Sequence, residues 1–209
     1  MSRILYGNQI VTDGLVLHLD AANPWSYDGN SVYWRDLSGN NNGTLINGLT
    51  YNNLNKGIIF NGVNDYIQLS NSFTFEINYS ISIWIDLTNA STTQYFLGGP
   101  NMGVRYNGTS FLVFNGESGW SELNWTKIND VINLTIIRDT LNNFDFYINT
   151  VYIGKTIMGG TLSPIINYIG MRHDGFYFNG NISNIQFYNK RLSQSQILQN
   201  YNSTKLRFI

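Results

Sequence analysis

Residues 79–87 read Tyr-Ser-Ile-Ser-Ile-Trp-Ile-Asp-Leu. In an extended chain Ile81, Ile83 and Ile85 fall on one face, and Ser80, Ser82, Trp84 and Asp86 on the other. A two-residue period with β-branched residues on the apolar face marks a strand packed on a core. A helix would instead need apolar residues at every third or fourth position. This stretch therefore reads as a strand with an isoleucine row on one face and a polar-plus-Trp row on the other.

The same reading extends outward in both directions. Residues 15–19 form a short apolar segment after the turn Asp13-Gly14. Residues 57–60 and 66–69 suggest a strand pair around 61–65, and 103–106 with 110–114 suggest a hairpin on Asn107-Gly108. Segments 131–138, 143–148, 151–158, 168–171, 176–178 and 182–188 complete about a dozen strands. Asn-Gly and Asp-Gly dipeptides, which tolerate the positive φ of tight turns, separate many of them. Only 191–201 reads as helix, with Leu192, Ile197, Leu198 and Tyr201 at roughly helical spacing and Ser193 as N-cap. Residues 25–55, rich in Asn, Gly and Tyr, are expected to form long loops. The pattern predicts an all-β fold, a two-sheet antiparallel sandwich with one short C-terminal helix. No internal repeat or linker divides the chain.

Composition narrows the function. Of 209 residues, 43% are hydrophobic, enough for one sizeable core. Only 12% are charged, and 31 asparagines help to supply the missing polarity. The net charge is −1 with no basic run, so phosphate neutralisation by a Lys/Arg stripe is absent and no nucleic-acid partner is expected. No cysteine is present, which excludes disulfides and thiolate metal sites. The first eight residues hold no apolar core of secretory-signal length, and no apolar run approaches membrane-spanning length.

Three groups of residues resemble a known family. They are Gly14-Leu-Val-Leu-His-Leu-Asp-Ala-Ala-Asn-Pro, Trp34-Arg-Asp-Leu-Ser-Gly-Asn-Asn-Asn-Gly-Thr-Leu and Ile59-Phe-Asn-Gly-Val-Asn-Asp-Tyr-Ile. Together with 144–154, 168–170 and 178–193 they resemble the laminin-G-like, concanavalin A-like jelly-roll domain over roughly residues 13–202. Residues 1–12 precede that pattern as an N-terminal arm or an extra edge strand, and 13–209 form the domain. The version of the motif in this chain is similar to copies in virion proteins of tailed bacteriophages. That resemblance implies a capsid decoration, head-fibre or tail-fibre component assembled in the host cytoplasm. Its partners would be other virion proteins, copies of itself, and weakly bound cell-surface glycans. The alternative is a carbohydrate-binding lectin or adhesin, and a glycosidase ranks below both.

Residue chemistry supports a non-enzymatic expectation. Glycosidases on this fold set paired carboxylates along one strand. Glu76, Glu117 and Glu122 are the only glutamates, and none has an acidic residue two positions away. His18 and His173 stand without a serine-elbow motif. Sugar recognition needs an aromatic platform beside amides and carboxylates. Trp25, Tyr27 and Asp28 form one candidate group, and Trp120, Glu122 and Trp125 a second. Trp25 and Trp120 are expected at the surface, and Trp34 and Trp84 in the core. The resemblance also raises calcium as a cofactor, with Asn61, Asp65 and Asn184 near the corresponding ligand positions. Two of those three are neutral amides, which weakens affinity for a cation that prefers anionic oxygens.

Overall fold

The structure is a computed structural model that describes residues 9–39, 41–88, 93–115, 119–125, 131–157 and 163–208. Among the described residues sixteen strands appear in chain order: β1 (Leu15–Asp20), β2 (Tyr33–Trp34), β3 (Gly43–Ile46), β4 (Thr50–Asn52), β5 (Gly57–Asn61), β6 (Tyr66–Thr74), β7 (Tyr79–Asp86) and β8 (Gln94–Gly98). They continue with β9 (Met102–Tyr106), β10 (Ser110–Asn115), β11 (Gly119–Asn124), β12 (Val131–Arg138), β13 (Asn143–Ile148), β14 (Val151–Ile157), β15 (Ile165–Ile169) and β16 (Asn179–Tyr188). One helix, α1 (Gln194–Thr204), follows, and a 3-10 turn (Lys205–Arg207) ends the described chain.

Two antiparallel sheets form the expected sandwich. The first runs β14-β13-β12-β7-β16-β5-β4, and the second β11-β10-β9-β8-β15-β6-β3-β2. β5 borders the first half of β16 and β1 the second half. The core lies between the sheets. Ile81, Ile83 and Ile85 point into it from β7, as the alternation predicts, and share one buried cluster with Ile67, Phe96, Val104 and Phe111 of the facing sheet. Phe75, Tyr79 and Phe187 tie one end of the core together, with the Phe75 and Tyr79 rings stacked at 4.3 Å. The 107–108 turn produces the expected hairpin, with Phe111 opposite Tyr106 and Leu112 opposite Arg105.

Three expectations are corrected. Segments 57–60 and 66–69 are strands but not a pair: β5 joins β16 and β6 joins β15, in opposite sheets. The Asn61 carboxamide turns the chain between them, because its Oδ1 accepts from the N–H groups of Val63 (2.8 Å), Asn64 (3.1 Å) and Asp65 (3.3 Å). Residues 25–55 contain the three short strands β2, β3 and β4 rather than loops alone. The Ser80, Ser82 and Trp84 row of β7 is buried as well, with Trp84 under α1 and Ser80 bonded to the segment that leads into it. Trp34 is in the sandwich core as expected, but Trp84 is buried outside it, under the helix.

Helix α1 begins where the sequence places it. Ser193 caps it in a reciprocal box with Gln196. Its buried face differs from the apolar spacing: Ile197, Asn200 and Thr204 face the sheet, and Leu198 is half exposed. The contact is mixed: Ile197 joins Ile137, Leu192 and Val11 in a small apolar cluster and Trp84 stacks on Tyr201, while amides and hydroxyls bond beside them. Asn200 Nδ2 donates to the Tyr188 hydroxyl at 2.9 Å, and Asn200 Oδ1 accepts from Val11 N at 2.8 Å. Residues 9–12 thus dock on the helix, while 1–8 of the arm lie outside the described residues.

Candidate functional site

The structure separates the two aromatic groups. Trp25, Tyr27 and Asp28 lie in the β1–β2 connection, whereas Trp120 and Glu122 lie on β11. β2 and β11 are opposite edges of the second sheet, seven strand spacings apart, or about 30 Å at the usual interstrand distance. They are two locations, not one site.

At the β2 edge, Trp25 is 83% exposed. Tyr27 is buried, with its ring 5.4 Å from Tyr51. Asp28 is spent on a turn, accepting from Asn30 N at 3.0 Å and Ser31 N at 2.8 Å. Tyr27 and Tyr51 line two open hollows of about 330 and 220 Å³. Trp25 lines neither.

At the β11 edge, strand pairing builds a face directed away from the core. Opposite Phe114 stand Gly103 on one side and Trp120 on the other; opposite Leu112 stand Arg105 and Glu122. Phe111, Val113 and Leu123 alternate to the core side. Gly103 leaves room for the indole: a side chain there would begin 3.2 Å from the Trp120 ring. Trp120 covers the Arg105 guanidinium at 3.9 Å and meets Tyr95 edge-on at 5.8 Å. Arg105 Nη1 donates to the Tyr95 hydroxyl at 2.9 Å. Arg172, in the 170–178 connection, donates to the same hydroxyl at 3.1 Å, pairs with Asp174, and lies under the half-exposed Phe176. Glu122 is exposed and accepts from Asn107 Nδ2 at 3.4 Å.

This platform has the parts a sugar site uses: an aromatic ring, a guanidinium, a carboxylate and an amide on one rigid sheet. Trp120 and Glu122 belong to it. Trp125 does not, because it faces the core side and stacks on Phe111 at 5.0 Å. Sequence reasoning missed Tyr95, Arg105 and Arg172. The hairpin register on Asn107-Gly108 would have placed Arg105 in one row with Glu122; Tyr95 and Arg172 join through non-local packing that carries no local signal.

The residues raised for calcium do not assemble a cage. Asn61 and Asp65 share one connection, but Asn184 stands five positions beyond Asn179, the β16 partner of Asn61. It faces His18, with Asn184 Nδ2 3.2 Å from His18 Nε2. The Asn61 oxygen is committed to three N–H groups, and Asp65 Oδ2 to Asn61 N. Only the buried Asp65 Oδ1 lacks a partner. One free oxygen falls short of the six to eight that calcium takes. No cluster of three or more His or acidic groups that could hold a metal occurs among the described residues.

His18 stands in a second polar cluster, at the edge of a hollow of about 550 Å³ also lined by Ile10, Leu37 and Arg207. Arg207 pairs with Asp20 at 2.5 Å, and His18 Nε2 lies 3.8 Å from the same carboxylate. Burial lowers the imidazole pKa from 6.5; Asp20 opposes that effect, Arg207 adds to it, and Asp36 opposes it. A lowered folded-state value means that stability is fully present above 6.5 and is lost as pH falls toward and through the folded value. Urea midpoints of the wild type are expected to fall between pH 7 and pH 5 more steeply than those of His18→Gln. Parallel slopes would show that His18 does not carry this loss.

Residues 61–198, about two thirds of the chain, match the family Laminin_G_3, described as the Concanavalin A-like lectin/glucanases superfamily. No curated protein matches the chain. Among solved structures, it is similar to the botulinum neurotoxin serotype D binding domain, with 18% identity and a TM-score of 0.68, covering 94% of this chain and 53% of that one. The receptor binding domain of the botulinum neurotoxin C/D mosaic serotype gives 16% identity and a TM-score of 0.70, covering 94% and 52%. A Trypanosoma rangeli sialidase mutant gives 17% and 0.68, covering 96% of this chain and 34% of that one. The chain spans about half the length of the botulinum chains and a third of the sialidase. At these identities the likeness is one of fold. Among the described residues no helix is long and apolar enough to cross a membrane. Its sheets, its closing helix and the family match over 61–198 together make this chain a lectin-like jelly-roll domain, a member of the Concanavalin A-like lectin/glucanases superfamily.

Proposed function

We propose that this domain is a non-catalytic carbohydrate-binding module that seats a glycan on the outward face of β9, β10 and β11. The observation that carries this reading is the Trp120 ring held 3.9 Å from the Arg105 guanidinium carbon, with Glu122 and Asn107 beside it. Stacking on an indole suits the apolar face of a sugar ring, and the amide and carboxylate suit its hydroxyls. Glu122 is held by an amide rather than paired with a second carboxylate, which favours binding over hydrolysis. Neighbours named as a receptor-binding domain and a sialidase are in keeping with surface recognition.

The second reading is a structural component of a virion, possessing contacts with capsid or fibre subunits. It is favoured by isolated exposed apolar side chains, Trp25, Leu54 and Leu206, which offer anchors for protein neighbours. A glycan array with the purified protein separates the two. Selective binding to a set of glycans is expected. A blank array would withdraw the carbohydrate reading and favour the particle role.

A further inference from the structure

Two guanidinium groups converge on one phenol oxygen at the β11 edge. Arg105 and Arg172 both donate to the Tyr95 hydroxyl, at 2.9 and 3.1 Å. Both also lie against the Tyr95 ring, at 5.6 and 5.3 Å from its centroid. Tyr95 is 1% exposed, so the two cations meet over a floor that water scarcely reaches. Like charges brought this close repel, and the repulsion grows as solvent is excluded.

Compensation is incomplete. Asp174 pairs with Arg172. Arg105 has no carboxylate within ion-pair distance among the described residues, and its buried Nε has no acceptor. Glu122 is the nearest acid in the same strand row. Its place is two strands from Arg105, roughly 10 Å at the usual strand spacing, and it is engaged by Asn107. His173, exposed next to Arg172, adds no negative charge. The described cluster of Arg105, Arg172 and Asp174 therefore carries one uncompensated positive charge beside an indole.

We infer that this face takes a carboxylate-bearing saccharide, with the carboxylate set between Arg105 and Arg172 and the sugar ring on Trp120. The inference rests on the carbohydrate-binding reading and specifies its ligand class. Guanidinium groups match carboxylates through paired N–H donors, and stacking the cation on an indole holds it in a fixed orientation. An anion at this point relieves the repulsion between the two cations and offsets the one charge that Asp174 leaves uncompensated.

The test uses the whole protein and isothermal titration with two matched pairs: oligogalacturonate against its methyl ester, and sialyllactose against its methyl ester. At least one acid is expected to bind ten-fold or more tightly than its neutral counterpart. That preference is expected to shrink in 0.5 M NaCl, since screening weakens an exposed charge contact. Arg105→Gln is expected to remove the preference and leave weak binding of the neutral form, and Arg105→Lys to retain part of it. Equal or tighter binding of the neutral forms would overturn the anionic inference while leaving the carbohydrate reading intact. Failure to bind any saccharide, on the array or by titration, would overturn both. The wild-type comparison decides the matter even where a variant fails to fold.

Discussion

Replacing Trp84 by alanine is expected to destabilise the protein by about 3–5 kcal/mol, the range for losing a buried tryptophan or phenylalanine. Trp84 is 1% exposed, yet its contacts are not those of the sandwich interior. Its ring stacks on Tyr201 of α1 at 5.4 Å and 17°, and packs against Phe208 at 5.4 Å. Its Nε1 donates to Thr204 Oγ1 at 2.9 Å. The substitution thus removes the aromatic anchor between the first sheet and the helix that covers it, leaving the smaller apolar cluster around Ile197. For a chain of this length the loss corresponds to a fall of roughly 6–20 °C in Tm. Trp84→Phe keeps a ring and loses the hydrogen bond, so a smaller cost of about 1 kcal/mol is expected. Thermal melts by circular dichroism check both values. A Trp84→Ala loss below about 1 kcal/mol would mean that α1 docks through its polar contacts and the Ile197 cluster without need of the indole.

A second large effect is expected at Gly98. A β-carbon there would stand 2.2 Å from the Met171 carbonyl oxygen and 2.8 Å from Arg172 Cα. Both are backbone atoms, so no side-chain rotation relieves the clash. Gly98→Ala must push the 170–178 connection off the sheet, and with it Arg172 and Phe176. Overpacking of this kind costs about 1–3 kcal/mol or more. Because Arg172 is half of the guanidinium pair over Tyr95, glycan affinity is expected to fall together with stability. Gly48→Ala serves as a control: its φ of +92° carries backbone strain, but nothing lies within 4 Å of the added carbon. It is expected to lower stability and leave binding unchanged. Equal binding by Gly98→Ala and wild type would show that the 170–178 connection is not part of the site.

Much of the fold is legible in the sequence because strands and turns write their signals locally. The isoleucine alternation of β7, the Asn107-Gly108 hairpin and the Ser193–Gln196 cap depend on neighbours a few residues away. What was not legible depends on distant partners. β5 and β6 look like adjacent strands of one sheet, but their partners, β16 and β15, lie more than ninety residues further on. Trp84 reads as a core residue, and what covers it, a helix 120 residues away rather than the facing sheet, carries no local signal. The candidate site shows the same division. Aromatic residues could be picked out by type, yet only the sheet order separates Trp25 from Trp120, and only strand alternation turns Trp125 inward. Arg105 and Arg172 stand 67 positions apart and become a pair only through Tyr95.

On the proposed reading a glycan binds at the β11 face and not at the exposed Trp25 of the opposite edge. The direct measurement is the affinity of Trp120→Ala and of Trp25→Ala for the strongest ligand found on the array, with melting temperatures recorded in parallel. Trp120→Ala is expected to lose ten-fold or more, the equivalent of about 1.4 kcal/mol, while Trp25→Ala binds as the wild type does. Loss of binding by Trp25→Ala with Trp120→Ala unaffected would contradict the account and move the site to the β2 edge.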